Sequence, residues 1–316
     1  MAPGKKQAVV GGSYGIAEWY GRSFRSLSHA ERIEFSERAR NQVPCRFMQD
    51  TPALAPVGGA NCNKQHGVCS ICSFENAEAG QFGPISATCP FRFLEDGLIV
   101  REIGKALLGT EHPKIAKEVP FLKRRKYLPM ADDNGDVKEG ADPGIASEDV
   151  GRIDMVCVHP DVAPLHWCAV EMQAVYFSGG KMSEDIAAIK NYTGNGLPIP
   201  AARRRPDFRS SGPKRLMPQL QIKVPTLRRW GKRMAVVVDR PFFNSFGEMQ
   251  HEADVSNADI AWIIVDFDTG AVPGLVKMKL HDIKFTTLES AVVGLTAGVP
   301  STLPEFEQKI REKLRN

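Results

Sequence analysis

Residues 152–175 read RIDMVCVHPDVAPLHWCAVEMQAV. Two apolar runs, Arg152 to Val158 and Trp167 to Val175, suit strands, and the intervening HPDVAPLH, with its two prolines, suits a hairpin connection. Period-two alternation puts Asp154 on one face with Arg152, Val156 and Val158, and Glu171 on one face with Trp167, Ala169 and Gln173. If the strands pair as neighbours, both carboxylates point into one cleft. Cys157 and Cys168 then fall on the opposite faces among Ile153, Met155, Val170 and Met172, as small buried hydrophobes.

A carboxylate inside an apolar strand is expensive unless it is paired or metal-bound. Two of them on adjacent strands can hold one or two hard cations such as Mg²⁺ beside a scissile phosphate, where bound water becomes a usable nucleophile. Asp154 followed by Glu171-Met172-Gln173 is therefore the candidate catalytic pattern, although an acid in each of two strands is common and the weight rests on the apolar context. Glu148, six residues before Asp154, is a candidate third acid.

Outward from the hairpin, MAVVVD (234–239) and IAWIIVDF (260–267) read as buried strands, with a further strand around Lys279 to Thr287. Helices are predicted from the Ser28/Glu31 capping box to about Gln42, across LIVREIGKALL (98–108) with Gly109 as its cap, through Ile186, Ile189 and Tyr192, and from Thr302 with Glu305 in the capping position. A second helical region after residue 208 carries expected breaks at Pro218 and Pro225. The polar stretch between Lys123 and Asp149 is predicted as turns and loop. The pattern is an α/β fold, a mixed sheet flanked by helices, with residues 97–316 as its body and residues 1–96 as a separate N-terminal module.

That module is defined by cysteine. Five of the seven cysteines fall between Cys45 and Cys89, spaced Cys45-x16-Cys62-x6-Cys69-x2-Cys72-x16-Cys89. Such bunching fits reduced thiols around one tetrahedral structural ion better than a secreted disulfide framework. Spacing alone selects Cys69 and Cys72 as a ligand pair and leaves five thiols for four places; His66 is a further possible ligand.

The chain has 316 residues, 42% hydrophobic and 25% charged, with a net charge of +4. These values describe an ordinary globular protein, and no apolar run is long enough to cross a bilayer or serve as a signal peptide, so the cytoplasm is the expected compartment. Basic residues come in three runs: Lys123 to Lys126; Arg203, Arg204 and Arg205 with Arg209, Lys214 and Arg215; and Arg228 to Arg233. Three runs together point to a polyanion partner, and the middle run, rich in Pro, Ser and Gly, is expected to form a flexible arm that orders on DNA phosphates.

Taken together, the cysteine module, the Asp/Glu/Gln hairpin and the basic helical region resemble the NotI family of type II restriction endonucleases, within the PD-(D/E)-x-K nuclease superfamily. The residues that carry the resemblance are Cys45, Cys62, the Gly67-Val68-Cys69 step, the Cys89-Pro90 step, Asp154, Glu171 and Gln173, and the strand entry Asn257 to Ile263. It implies Mg²⁺-dependent, sequence-specific cleavage of double-stranded DNA by a homodimer, at a palindrome for which a GC-rich sequence is suggested. It also implies a four-cysteine structural site for iron or zinc at Cys45, Cys62, Cys69 and Cys89, with Cys72 in reserve. Gln173 stands where the superfamily has lysine; a neutral amide cannot offset charge, but it can orient the attacking water. A DNA-binding regulator without catalysis, and a non-specific repair nuclease of the same superfamily, are the alternatives.

Overall fold

The structure, a computed structural model, describes residues 14–38, 43–49, 61–74, 83–128, 144–194, 196–198, 200, 204–296 and 301–314, with backbone alone for 124–128 and 144–150. Its centre is a six-stranded mixed sheet of β5 (Lys114–Leu128), β6 (Gly144–Val158), β7 (Trp167–Met172), β10 (Met234–Asp239), β11 (Ile260–Asp268) and β12 (Lys277–Thr286). The spatial order is β12-β11-β10-β7-β6-β5, with β10 parallel to both β7 and β11 and the remaining pairs antiparallel.

Alternation sorts the sheet into two cores. On one face, Met155, Cys157, Cys168, Val170, Ala235, Val237, Ala261 and Ile263 pack with Ile99, Val100 and Ile103 of α3 (Leu98–Ile103). On the other, Val156, Ala169, Met234, Val236, Val238 and Trp262 pack against Leu220, Val224 and Leu227 of α6 (Met217–Arg229) and Ala291 and Leu295 of α8 (Leu288–Thr296). Each valine, leucine, isoleucine or methionine side chain among them contributes roughly 1.5–3 kcal/mol when removed from water. Cys157 and Cys168 are cross-strand partners, both buried, as the alternation implies.

A second sheet, ordered β2-β1-β3-β4, joins β1 (Tyr14–Trp19), β2 (Arg22–Ser23), β3 (Val68–Ser73) and β4 (Ile85–Ala87). Beside it lie α1 (His29–Glu37), opened by the Ser28/Glu31 capping box, and the short α2 (Arg46–Gln49). The two sheets share one core, since Ala87, Phe93 and Leu94 pack in the same cluster as Met155 and Val237.

Several expectations change. The polar stretch from Lys123 to Asp149 is not a loop throughout: backbone pairing from Lys123↔Asp149 to Leu128↔Gly144 extends β5 and β6 into one long hairpin, and residues 129–143 lie outside the described part. Backbone hydrogen bonding does not need apolar alternation, so a charged two-stranded arm carries no period-two signal in its sequence. Residues Lys114–Leu122 also pair, although no strand was predicted there. Helix α1 stops at Glu37, because Arg38 is already extended. The middle basic run is not a flexible arm over its described length: Phe208–Ser211 is helical (α5) and Gly212–Leu216 continues as a π turn into α6. Pro218, the second residue of α6, follows directly on the π turn without breaking the helix, and Pro225 lies inside the helix without ending it. Pro225 is exposed, and so is Gln221, whose carbonyl loses its intrahelical donor and can turn to water.

Candidate active site

The β6–β7 register pairs Met155 with Val170, which sets Asp154 and Glu171 side by side. The β5–β6 register does the same one strand over: Lys117 faces Met155 and Val119 faces Ile153, so Glu118 stands opposite Asp154. Three acids thus cross three neighbouring strands. Glu118 has a left-handed backbone, with φ of 49°, an uncommon conformation for a residue with a side chain. Glu148, the third acid expected from the sequence, stands opposite Arg124 in the backbone register of the long hairpin, and its side chain lies outside the described part.

Glu171 is 3% exposed. Burial, then the charge of Asp154, pushes its carboxyl up to about 7, while Lys223 pulls it back. Asp154 is raised too, chiefly by burial, against a 3.2 Å hydrogen bond donated by the Met172 amide and the attraction of Lys223; Glu118 adds repulsion to both acids. Two adjacent carboxylates, one buried and one half-buried and both raised, form a site whose negative charge a cation would relieve. Two carboxylates also suffice for Mg²⁺, which usually completes its shell with water and phosphate oxygens. The acids therefore fit a divalent cation, although among the described residues no group of three or more His, Cys, Asp or Glu side chains is gathered closely enough to hold one.

Lys223 is the residue the sequence did not announce. From α6 its Nζ donates to Glu171 Oε2 at 2.6 Å and to Gln219 Oε1 at 2.8 Å, and the side chain is buried. The signal was there, since Leu220, Val224 and Leu227 mark the buried face of α6 and Lys223 falls between them. Gln173, next but one to Glu171, donates from Nε2 to the Ala174 carbonyl at 2.7 Å, which leaves its amide oxygen to act as an acceptor.

Asp154, Glu171 and Gln173 open onto a cavity of about 680 Å³. Asp154, Glu171, Gln173 and Gln219 form one wall, and Lys64, His66 and Thr88 of the cysteine module form another. Arg215 stacks over the Tyr176 ring at 3.4 Å and also lines it. Of the other basic candidates, Arg204 lines the cavity with its guanidinium paired to buried Asp185, Arg205, Arg209 and Lys214 are exposed, and Arg203 lies outside the described residues. In the last basic run, Arg228 pairs with Asp259 and Glu289, and Arg233 donates to the Val255, Ser256 and Ala258 carbonyls, so both hold loops in place.

All seven cysteines are buried. Cys45, Cys62 and Cys69 pack in one cluster with Phe47 and Met48, and Cys89 is near enough to feel the charges of Cys45 and Cys62. Backbone bonds tie the cluster: the Cys62 amide donates to the Val43 carbonyl at 2.7 Å, and the Thr88 amide to the Cys69 carbonyl at 2.9 Å. Cys72 packs elsewhere, with Ile16, Ile71 and Ile85 in the core of the second sheet. The four thiols are neighbours, yet among the described residues they are not drawn in to metal-ligand geometry.

No curated protein matches the sequence at a significant level. The family model described as "Restriction endonuclease NotI" matches residues 30–278, a span that holds the cysteine cluster, the acidic hairpin and α6. The chain belongs to the NotI restriction endonuclease family and is a site-specific deoxyribonuclease.

Proposed function

We propose that this protein is a type II restriction endonuclease that hydrolyses double-stranded DNA in a Mg²⁺-dependent reaction, as a cytoplasmic homodimer acting at a palindrome, GC-rich by family resemblance. The observation that carries the reading is the alignment of Glu118, Asp154 and Glu171 across three strands, with Lys223 held against Glu171 at 2.6 Å. Asp154 and Glu171 would hold the cation, which when bound neutralises charge on the scissile phosphate and acidifies a water. Glu118 is the third acid of the site. Lys223 supplies from a helix the positive charge that Gln173 cannot, and favours the ionised form of Glu171. The Gln173 amide oxygen accepts a hydrogen bond from the attacking water and orients it. Arg215, kept extended by its stacking on Tyr176, contacts a phosphate, with Arg205, Arg209 and Lys214 adding attraction that does not depend on sequence. Lys64 and His66 approach the bound DNA from the opposite wall.

The cysteine cluster is proposed as a structural iron or zinc site of Cys45, Cys62, Cys69 and Cys89. Its support is the shared packing of Cys45, Cys62 and Cys69, the nearness of Cys89 to them, and the separation of Cys72 from the group. If that is so, Cys62→Ser costs folding and DNA binding together, whereas Cys72→Ser costs only packing.

Incubation of the purified protein with plasmid DNA, with and without Mg²⁺, tests the function. A ladder of discrete fragments that requires Mg²⁺ supports it. A smear points to a nuclease without sequence preference, and intact DNA with a gel shift points to a regulator.

A further inference from the structure

From Phe208 to Val238 the chain carries eight Lys and Arg side chains and no Asp or Glu. Helix α6 occupies the middle of this stretch, and on it Gln219, Ile222, Thr226 and Arg229 recur at spacings of three and four, so they form one stripe. Lys223 borders the stripe on the side of the sheet, where its Nζ reaches Glu171 at 2.6 Å, and Gln219 lines the cavity that holds the acids. DNA whose phosphate meets Asp154 and Glu171 therefore runs along this side of α6.

The stripe has charge at its ends and none at its centre. Arg215, stacked on Tyr176 in the turn that leads into α6, stands at one end, and exposed Arg229 stands at the other, about 20 Å away along a helix. Ile222 lies midway between them in sequence and is 51% exposed. Thr226 Oγ1 accepts an N–H of Arg229 at 2.9 Å, which leaves the threonine hydroxyl proton to be donated outward. A lone exposed isoleucine is ordinary on a protein surface. One centred between two arginines in a stretch without acids fits a groove of DNA, where cations at the rims meet phosphates and apolar or hydroxyl side chains meet base edges.

We propose that α6 lies in the major groove beside the scissile phosphate, and that Ile222 and Thr226 are specificity-determining residues. Ile222 packs on the C5 edge of a pyrimidine, the Thr226 hydroxyl donates to a base acceptor, and Arg215 and Arg229 hold phosphates on either side. The assignment rests on the endonuclease reading above and adds which side chains choose the sequence.

The test maps the wild-type cut site on DNA of known sequence, then compares Mg²⁺-dependent cleavage there with cleavage of duplexes that differ by one base pair. Ile222→Ala and Thr226→Val, checked for unchanged thermal unfolding, should each lower the ratio of correct to altered-site cleavage by about tenfold at one base-pair position. Their affinity for DNA lacking the site, measured with Ca²⁺, should stay within a few fold. Arg229→Ala should instead weaken binding to every sequence alike and lower its salt dependence by about one phosphate contact. A wild type that cuts at discrete sites while both Ile222→Ala and Thr226→Val keep the full ratio, or lose affinity equally for all sequences, would overturn the groove assignment alone. A wild type that cuts no DNA would overturn the endonuclease reading and the groove assignment with it.

Discussion

At the residue scale, Glu171 and Lys223 form a pair in which each partner makes the other's burial tolerable. Removing Lys223 leaves two carboxylates without their nearest cation, so the Glu171 carboxyl rises further above about 7. Lys223→Met is therefore expected to move the acidic limb of the cleavage–pH profile to higher pH, while Lys223→Arg restores part of it; an unmoved limb would show that Lys223 does not govern Glu171. That Asp154 and Glu171 stand side by side was legible in the sequence, because a polar side chain interrupts an otherwise apolar strand in each of two neighbours. Lys223 and Glu118 were not, because one reaches the site from a helix and the other from a strand too charged and too irregular to show period two. Cooperation across such distances depends on register, which no local pattern carries.

At the element scale, α6 presents the Lys223 side chain, and its course through Pro225 is set by tertiary packing and not by propensity. Val224 and Leu227 are both fully buried on either side of the proline and hold the helix against the sheet. Pro225→Ala restores a backbone donor on the solvent side, so it is expected to raise stability by up to about 3 kcal/mol, read as a higher denaturant midpoint. The junction of β10 with α7 (Arg240–Phe243) rests on Asp239, which accepts from the Phe242 amide and the Ala87 amide, each at 2.9 Å, and from Ser86. Burial pushes the Asp239 carboxyl up to about 7 from an ordinary 3.8. Between those values the folded chain holds a proton that the unfolded chain has lost, so this group's contribution to stability falls as pH rises from about 4 to about 7. Asp239→Asn should flatten that part of the stability–pH curve in thermal melts; an unchanged slope would show that Asp239 is ionised in the native state. The buried strands around Met234 and Ile260 were plain from the sequence, whereas the β5–β6 arm was not, since its charged residues satisfy backbone pairing without burying an apolar face.

At the scale of the whole molecule, the cysteine module and the six-stranded sheet are joined by a buried ion network. Arg92, fully buried, pairs with Glu18 of β1 at 2.6 Å and with Glu95 at 3.0 Å, and donates to the Val276 carbonyl at 2.8 Å; its guanidinium lies between the Phe47 and Phe267 rings. Lys277 and Arg46 complete the neutralisation of Glu95. Arg92→Ala strands the buried Glu18 carboxylate, while Glu95 keeps Arg46 and Lys277, and is expected to cost about 3–5 kcal/mol in chemical denaturation, with the module and the sheet destabilised together. The mixed sheet with flanking helices was readable from alternating runs and caps. The joining of the module to it was not, because its agents, Glu18, Arg92 and Glu95, are ordinary charged residues until the fold brings them together. Lys64 and His66 line the same cavity as Asp154 and Glu171.

The most direct test of the account is to compare wild type and Glu171→Ala on the same DNA, measuring Mg²⁺-dependent cleavage and, with Ca²⁺ in place of Mg²⁺, binding. Cleavage should fall by about a hundredfold or more while binding stays within a few fold; undiminished cutting by Glu171→Ala would place the chemistry elsewhere in the molecule.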